Sequence, residues 1–137
     1  MCPEASSGPV EIRRDAVVIR FWPINPDTLW KKALLEYKRT GHYRLSVFAD
    51  APRSYETQQD VIYRLLKASE VSINPASNKK FTVCTSAEEL LDLGFTFTKE
   101  GDDDNDPDEH YSVDLGADAT PEDVTRFLAA FRVEKRR

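Results

Sequence analysis

Apolar and polar positions recur along this chain in one order: a short apolar strand, a turn rich in Ala and Asp, and a capped amphipathic helix. The order is clearest near the C-terminus. There His110-Tyr111-Ser112-Val113-Asp114-Leu115 leads through Gly116-Ala117-Asp118-Ala119 into Thr120-Pro121 and a helix carrying Val124, Phe127, Leu128 and Phe131. Thr120 reads as the N-cap, Pro121 takes the first helical position, where a missing N–H costs nothing, and Glu122 and Asp123 suit the positive end of the helix dipole. The same spacing from His-Tyr to Ala-Asp-Ala recurs from His42-Tyr43 to Ala49-Asp50-Ala51. Internal duplication and shared strand-turn-helix chemistry both account for it.

The remaining elements follow from periodicity and caps. Ala16 to Trp22 is β-branched and aromatic with little alternation, which predicts a strand buried on both faces. Asn25-Pro26 opens a helix with Leu29, Trp30, Ala33, Leu34 and Tyr37 at helical spacing, closed by Lys38, Arg39 and Gly41. Tyr43 to Ala49 alternates as a strand. Ser54 is the expected cap of a second helix facing inward through Val61, Ile62, Leu65, Leu66 and Tyr55. Residues 72–80 read as a loop dividing the chain into halves. Phe81 to Cys84 is a short strand, and Ser86-Ala87-Glu88-Glu89 matches a capping box before a short helix ending at Gly94. Phe95-Thr96-Phe97-Thr98 alternates as a half-exposed strand, to be paired with Tyr111 to Leu115 in an antiparallel hairpin.

The order β-α-β-α-β-α-β-β-α predicts an α+β or α/β domain in which about four helices cover a single-layer sheet of about four to five strands. Its expected bounds are 15–133, after a loose N-terminal tail at 1–14 and before a basic C-terminal tail at 134–137. Val18, Phe21, Leu34, Val47, Leu65, Val83, Leu115 and Phe127 are the expected core.

Composition changes this picture at one place. The chain has 137 residues, 40% of them hydrophobic, enough for one core. Its formal charge of −5 is concentrated in residues 100–109, where Glu100, Asp102, Asp103, Asp104, Asp106, Asp108 and Glu109 stand without a cation. The rest is near neutral and has no broad basic face, so nucleic-acid binding is not expected. The two cysteines, Cys2 and Cys84, have neither metal nor disulfide spacing, which suits a reducing compartment. No run of 18 apolar residues and no leader pattern is present, so the expectation is a cytoplasmic, bacterial protein that does not span a membrane.

The acidic segment is the leading candidate partner surface, through Asp102, Asp103, Asp104, Asp106, Asp108 and Glu109. Asp102, Asp104 and Asp106 have the spacing that opens an EF-hand loop, but Pro107 replaces the required glycine and Val113 the closing Glu. No metal is expected, and the like charges predict a solvated hairpin connection. His42, Asp50, His110 and Asp118 form an alternative polar site, since a histidine beside a carboxylate can exchange protons. Read plainly, they are strand ends and turn residues. Cys84 reads as a buried inert thiol, Trp22 and Trp30 as core aromatics or partner anchors. With no nucleotide or zinc motif, no cofactor is expected. The reading is a non-enzymatic protein-interaction or regulatory module, like small acidic immunity or antitoxin proteins in size and charge alone. The alternative is a small enzyme or ligand-binding domain using the four His and Asp residues; homo-oligomerisation is left open.

Overall fold

A computed structural model of the chain describes residues 9–21, 25–69, 80–84, 86–99 and 109–135. Its elements run β1 (Pro9–Val10), β2 (Val17–Phe21), α1 (Pro26–Thr40), β3 (Arg44–Asp50), α2 (Gln58–Ser69), β4 (Lys80–Cys84), α3 (Ala87–Asp92), β5 (Thr96–Lys99), β6 (His110–Asp114), α4 (Pro121–Ala129) and β7 (Arg132–Lys135). The fold is mixed α+β with four helices, as the periodicity predicts. The strands form one antiparallel sheet in the order β1-β5-β6-β3-β2-β4-β7.

Seven strands replace the expected four or five. The two additions are the outermost, β1 and β7. β1 is two residues within the expected tail. The last helix stops at Ala129 rather than Phe131, and Arg132-Val133-Glu134-Lys135 pairs with β4 where a helix end and a basic tail were expected. Short or charged strands suit a sheet edge, and for that reason their sequences carry a weak strand signal.

Side-chain alternation divides the core between two faces. Val18 of β2, Leu45, Val47 and Ala49 of β3, Phe97 of β5 and Val113 of β6 meet Leu29 and Ala33 of α1, Ala87 and Leu90 of α3, and Val124 and Phe127 of α4. On the other face Val17, Ile19, Phe21, Phe48, Phe81 and Val83 meet Val61, Ile62 and Leu65 of α2. Thus β2 is buried on both sides, as its unbroken apolar run requires. Helix α2 covers β2, β3 and β4. On its side of the sheet β5 and β6 present Thr96, Thr98, His110, Ser112 and Asp114, the polar alternates of Phe97 and Val113.

Local chemistry explains most boundaries. The Asn25 side chain accepts from Thr28 N, and Gly41 (φ 84°) closes α1 in the left-handed conformation that glycine adopts without penalty. Leu34 is only half-buried, because Leu29 and Ala33 take the inward face. Helix α2 begins at Gln58, so its cap is Thr57 rather than Ser54: Thr57 Oγ1 accepts from Asp60 N, and Asp60 Oδ2 accepts from Thr57 N. Tyr55 therefore lies in the preceding turn, 76% exposed, not in the core. Ser86 caps α3 as expected but accepts from Glu88 N rather than from Glu89 N, and Glu89 turns its carboxylate to Cys84, so the box is not formed.

The matching His-Tyr spacings do not become matching structure. Asp50 ends β3, whereas β6 ends at Asp114 and Gly116 (φ 108°) turns the chain before Asp118. The helices that follow, α2 and α4, pack on opposite faces of the sheet.

Candidate functional site

Antiparallel pairing of β3 with β6 decides where the histidines stand. The register runs from Arg44↔Asp114 through Ser46↔Ser112 to Phe48↔His110. Four residue steps along the strand separate the first and last of these pairs, about 13 Å at roughly 3.3 Å per residue. His42 lies at the first end, with Nδ1 3.2 Å from Asp114 Oδ2, a carboxylate that also faces Arg44 Nε at 3.7 Å. His110 lies at the other. The two histidines thus belong to different surroundings, and their nearest polar partners are residues that the sequence pattern did not mark.

His110 is stacked on Phe48, with ring centroids 4.8 Å apart and planes 12° apart, and its Nε2 is hydrogen-bonded to Ser46 Oγ at 2.6 Å. Phe48 in turn packs under α2. Ser46 is exposed, while its cross-strand neighbours Ser112 and Thr98 are buried. A hydroxyl bonded to an imidazole is the minimum pairing of nucleophile and base. Alternation on β3 carries a faint signal for this pair, since Ser46 and Phe48 share a face.

Asp50 and Asp118 serve elsewhere. Asp50 Oδ2 accepts from Arg64 Nη1 at 2.7 Å, and Arg64 also grips both oxygens of Glu56, at 2.7 and 2.8 Å. This bidentate hold, with a bond from Arg53 N, keeps the Glu56 carboxyl down at about 2, and the same contacts raise Arg64 above its ordinary range. The network ties the turn before α2 to the end of β3. Asp118 is exposed in the turn between β6 and α4.

Asp102, Asp103, Asp104, Asp106 and Asp108 lie outside the described residues. Glu109 lies in the turn just before β6, and its carbonyl accepts from Ala49 N at 2.9 Å. The expected antiparallel hairpin that brackets the acidic segment forms, with its register running from Thr96↔Asp114 to Lys99↔Tyr111. Among the described residues no group of three or more His, Cys, Asp or Glu could hold a metal ion.

Cys84 is buried, its Sγ set against Ser86 O at 3.1 Å and Glu89 Oε2 at 3.3 Å; burial pushes the thiol up to about 12, so it stays protonated. Trp22 lies outside the described residues. Trp30 is half-buried, and Tyr43 stacks against both it and Tyr37, at 5.4 and 4.3 Å, which fastens α1 to the start of β3. No described helix is long and apolar enough to cross a membrane. Set against known proteins, the chain matches no family model, no curated protein and no solved structure.

Proposed function

We propose that the chain is a non-enzymatic protein-interaction module that offers its acidic segment to a basic protein partner in the cytoplasm, much as small acidic immunity or antitoxin proteins do. One observation carries the reading: seven carboxylates between Glu100 and Glu109 fall between the paired strands of an in-register hairpin. The strands that flank the segment, β5 and β6, are both held in the sheet. Dense like charge has no use in folding and costs self-repulsion, but it steers a basic partner over the range that salt leaves unscreened, about 8–10 Å.

The test replaces residues 101–109 by Asn-Gly, a two-residue turn suited to hairpins. The shortened chain is expected to fold and to lose the partner, and association of the intact chain is expected to slow steeply as salt is added. Binding that survives the replacement overturns the reading.

A second reading, a small enzyme or ligand-binding domain, draws on the Ser46–His110 hydrogen bond. It departs from the His42, Asp50, His110 and Asp118 set in keeping only His110. It predicts that a fluorophosphonate labels Ser46 and that His110→Ala abolishes labelling; an unlabelled wild-type protein removes it.

A further inference from the structure

Strands β2 and β3 pair only from Val17↔Asp50 to Ile19↔Phe48. Beyond Ile19, β2 stays with β4, through Arg20↔Thr82 and Phe21↔Phe81, and parts from β3. The Arg20 side chain enters the wedge that opens, on the side covered by α1, and one Nη donates to the Ser46 carbonyl just past the paired stretch. That bond patches the interrupted ladder and uses one of the five guanidinium donors.

The rest of Arg20 is poorly matched. The residue is 7% exposed, its Nε has no acceptor, and no carboxylate among the described residues pairs with it. A buried cation without a counter-ion is costly. Burial alone lowers Arg20 to about 10.

Arg20 lines a cavity of about 260 Å³ together with Lys32 and Glu36 of α1 and Arg44 of β3. Glu36 is already paired with Arg39 at 2.7 Å, and Arg44 faces Asp114. Arg20 and Lys32 are thus the cations whose charge the surrounding carboxylates leave unmatched. They come from separate elements, and one Nη of Arg20 is committed to Ser46. Bonding of Nη1 takes up one two-pronged edge of the guanidinium and burial of Nε closes the other, so no pair of parallel donors is offered to a planar carboxylate. Single donors from two directions suit a tetrahedral oxyanion of higher charge.

We propose that this wedge binds a small phosphate-bearing molecule, with the phosphate group between Arg20 and Lys32. The site is separate from the acidic segment and does not depend on the partner reading.

The experiment titrates the full chain, labelled with ¹⁵N, with inorganic phosphate at fixed ionic strength and follows the Arg20 side-chain Nε–H signal, with acetate as a parallel titration. The expected result is a saturable shift with phosphate and little response to acetate. Affinity should fall about tenfold or more in Lys32→Ala, as expected for loss of one charge-assisted contact, and Lys38→Ala, outside the cavity, should leave it unchanged. Arg20→Met should abolish phosphate-dependent thermal stabilisation; if that variant does not fold, Lys32→Ala decides. A shift that never saturates, an equal response to acetate, or unchanged affinity in Lys32→Ala overturns the proposal.

Discussion

Phe127→Ala tests the two-faced core most sharply. Phe127 is fully buried in the last turn of α4, its ring 4.8 Å from Phe131 and 6.4 Å from Phe95, within the cluster that joins α1, α3 and α4 to the sheet. Truncation removes the ring's transfer free energy and leaves a cavity between helix and strands, together about 3–5 kcal/mol. Total stability is on the order of 5–15 kcal/mol, so the variant loses a large share of it. With a urea slope of about 2 kcal/mol/M, the midpoint should fall by roughly 2 M at unchanged slope. Val61→Ala probes the opposite face, where removal of two carbons costs about 1.6 kcal/mol plus a cavity term. Because the sheet lies between them, the two losses should add to within about 0.5 kcal/mol in the double variant. Chemical denaturation followed by circular dichroism measures all three. A Phe127→Ala loss under about 1.5 kcal/mol, or strong coupling between the sites, refutes the assignment of α2 and α4 to separate faces.

The acid limb of stability should carry the signature of Glu56. Its carboxyl titrates lower in the folded chain than unfolded, so its contribution is complete above about 4.5 and is lost as pH falls towards about 2; Arg64→Met should diminish this pH dependence, and an unchanged acid limb would contradict the network. His42→Ala, which removes a half-exposed ring 3.2 Å from Asp114, should shift stability by less than about 0.5 kcal/mol. His110→Ala loses both a ring stack and a hydrogen bond and should cost about 1–2 kcal/mol, and equal effects of the two would show that the stack contributes nothing. Replacing 101–109 by Asn-Gly should leave the melting temperature unchanged or raise it, and a chain that fails to fold would give the segment a structural role.

Much of the fold was legible because local signals agreed with the global pattern. Asn25-Pro26 and Gly41 bound α1, the unbroken run of β2 marked burial on both faces, and the Phe-Thr alternation of β5 found its partner in β6. What escaped was decided by distant pairing. Arg132 to Lys135 has no strand signature until β4 supplies a ladder, and Tyr55 left the core because Thr57 and Asp60 capped α2 a turn later than Ser54 would. The equal His-to-Asp spacings were real in sequence, but antiparallel strands place equal positions at opposite ends. Alternation put Ser46 and Phe48 on one face, but the pairing of β3 with β6 decided that His110 would meet Ser46, and the parting of β2 from β3 that Arg20 would fill the gap between them.

If the acidic segment is an interaction surface on an independently stable fold, as we propose, its removal should cost the partner and spare the fold. The most direct measurement compares partner capture by the intact chain with capture by the chain shortened at 101–109, both shown to be folded by circular dichroism and both assayed across a salt series. The account predicts a basic protein retained by the intact chain, released as salt rises, and absent from the shortened one. Equal retention of the same partner by both chains would contradict it.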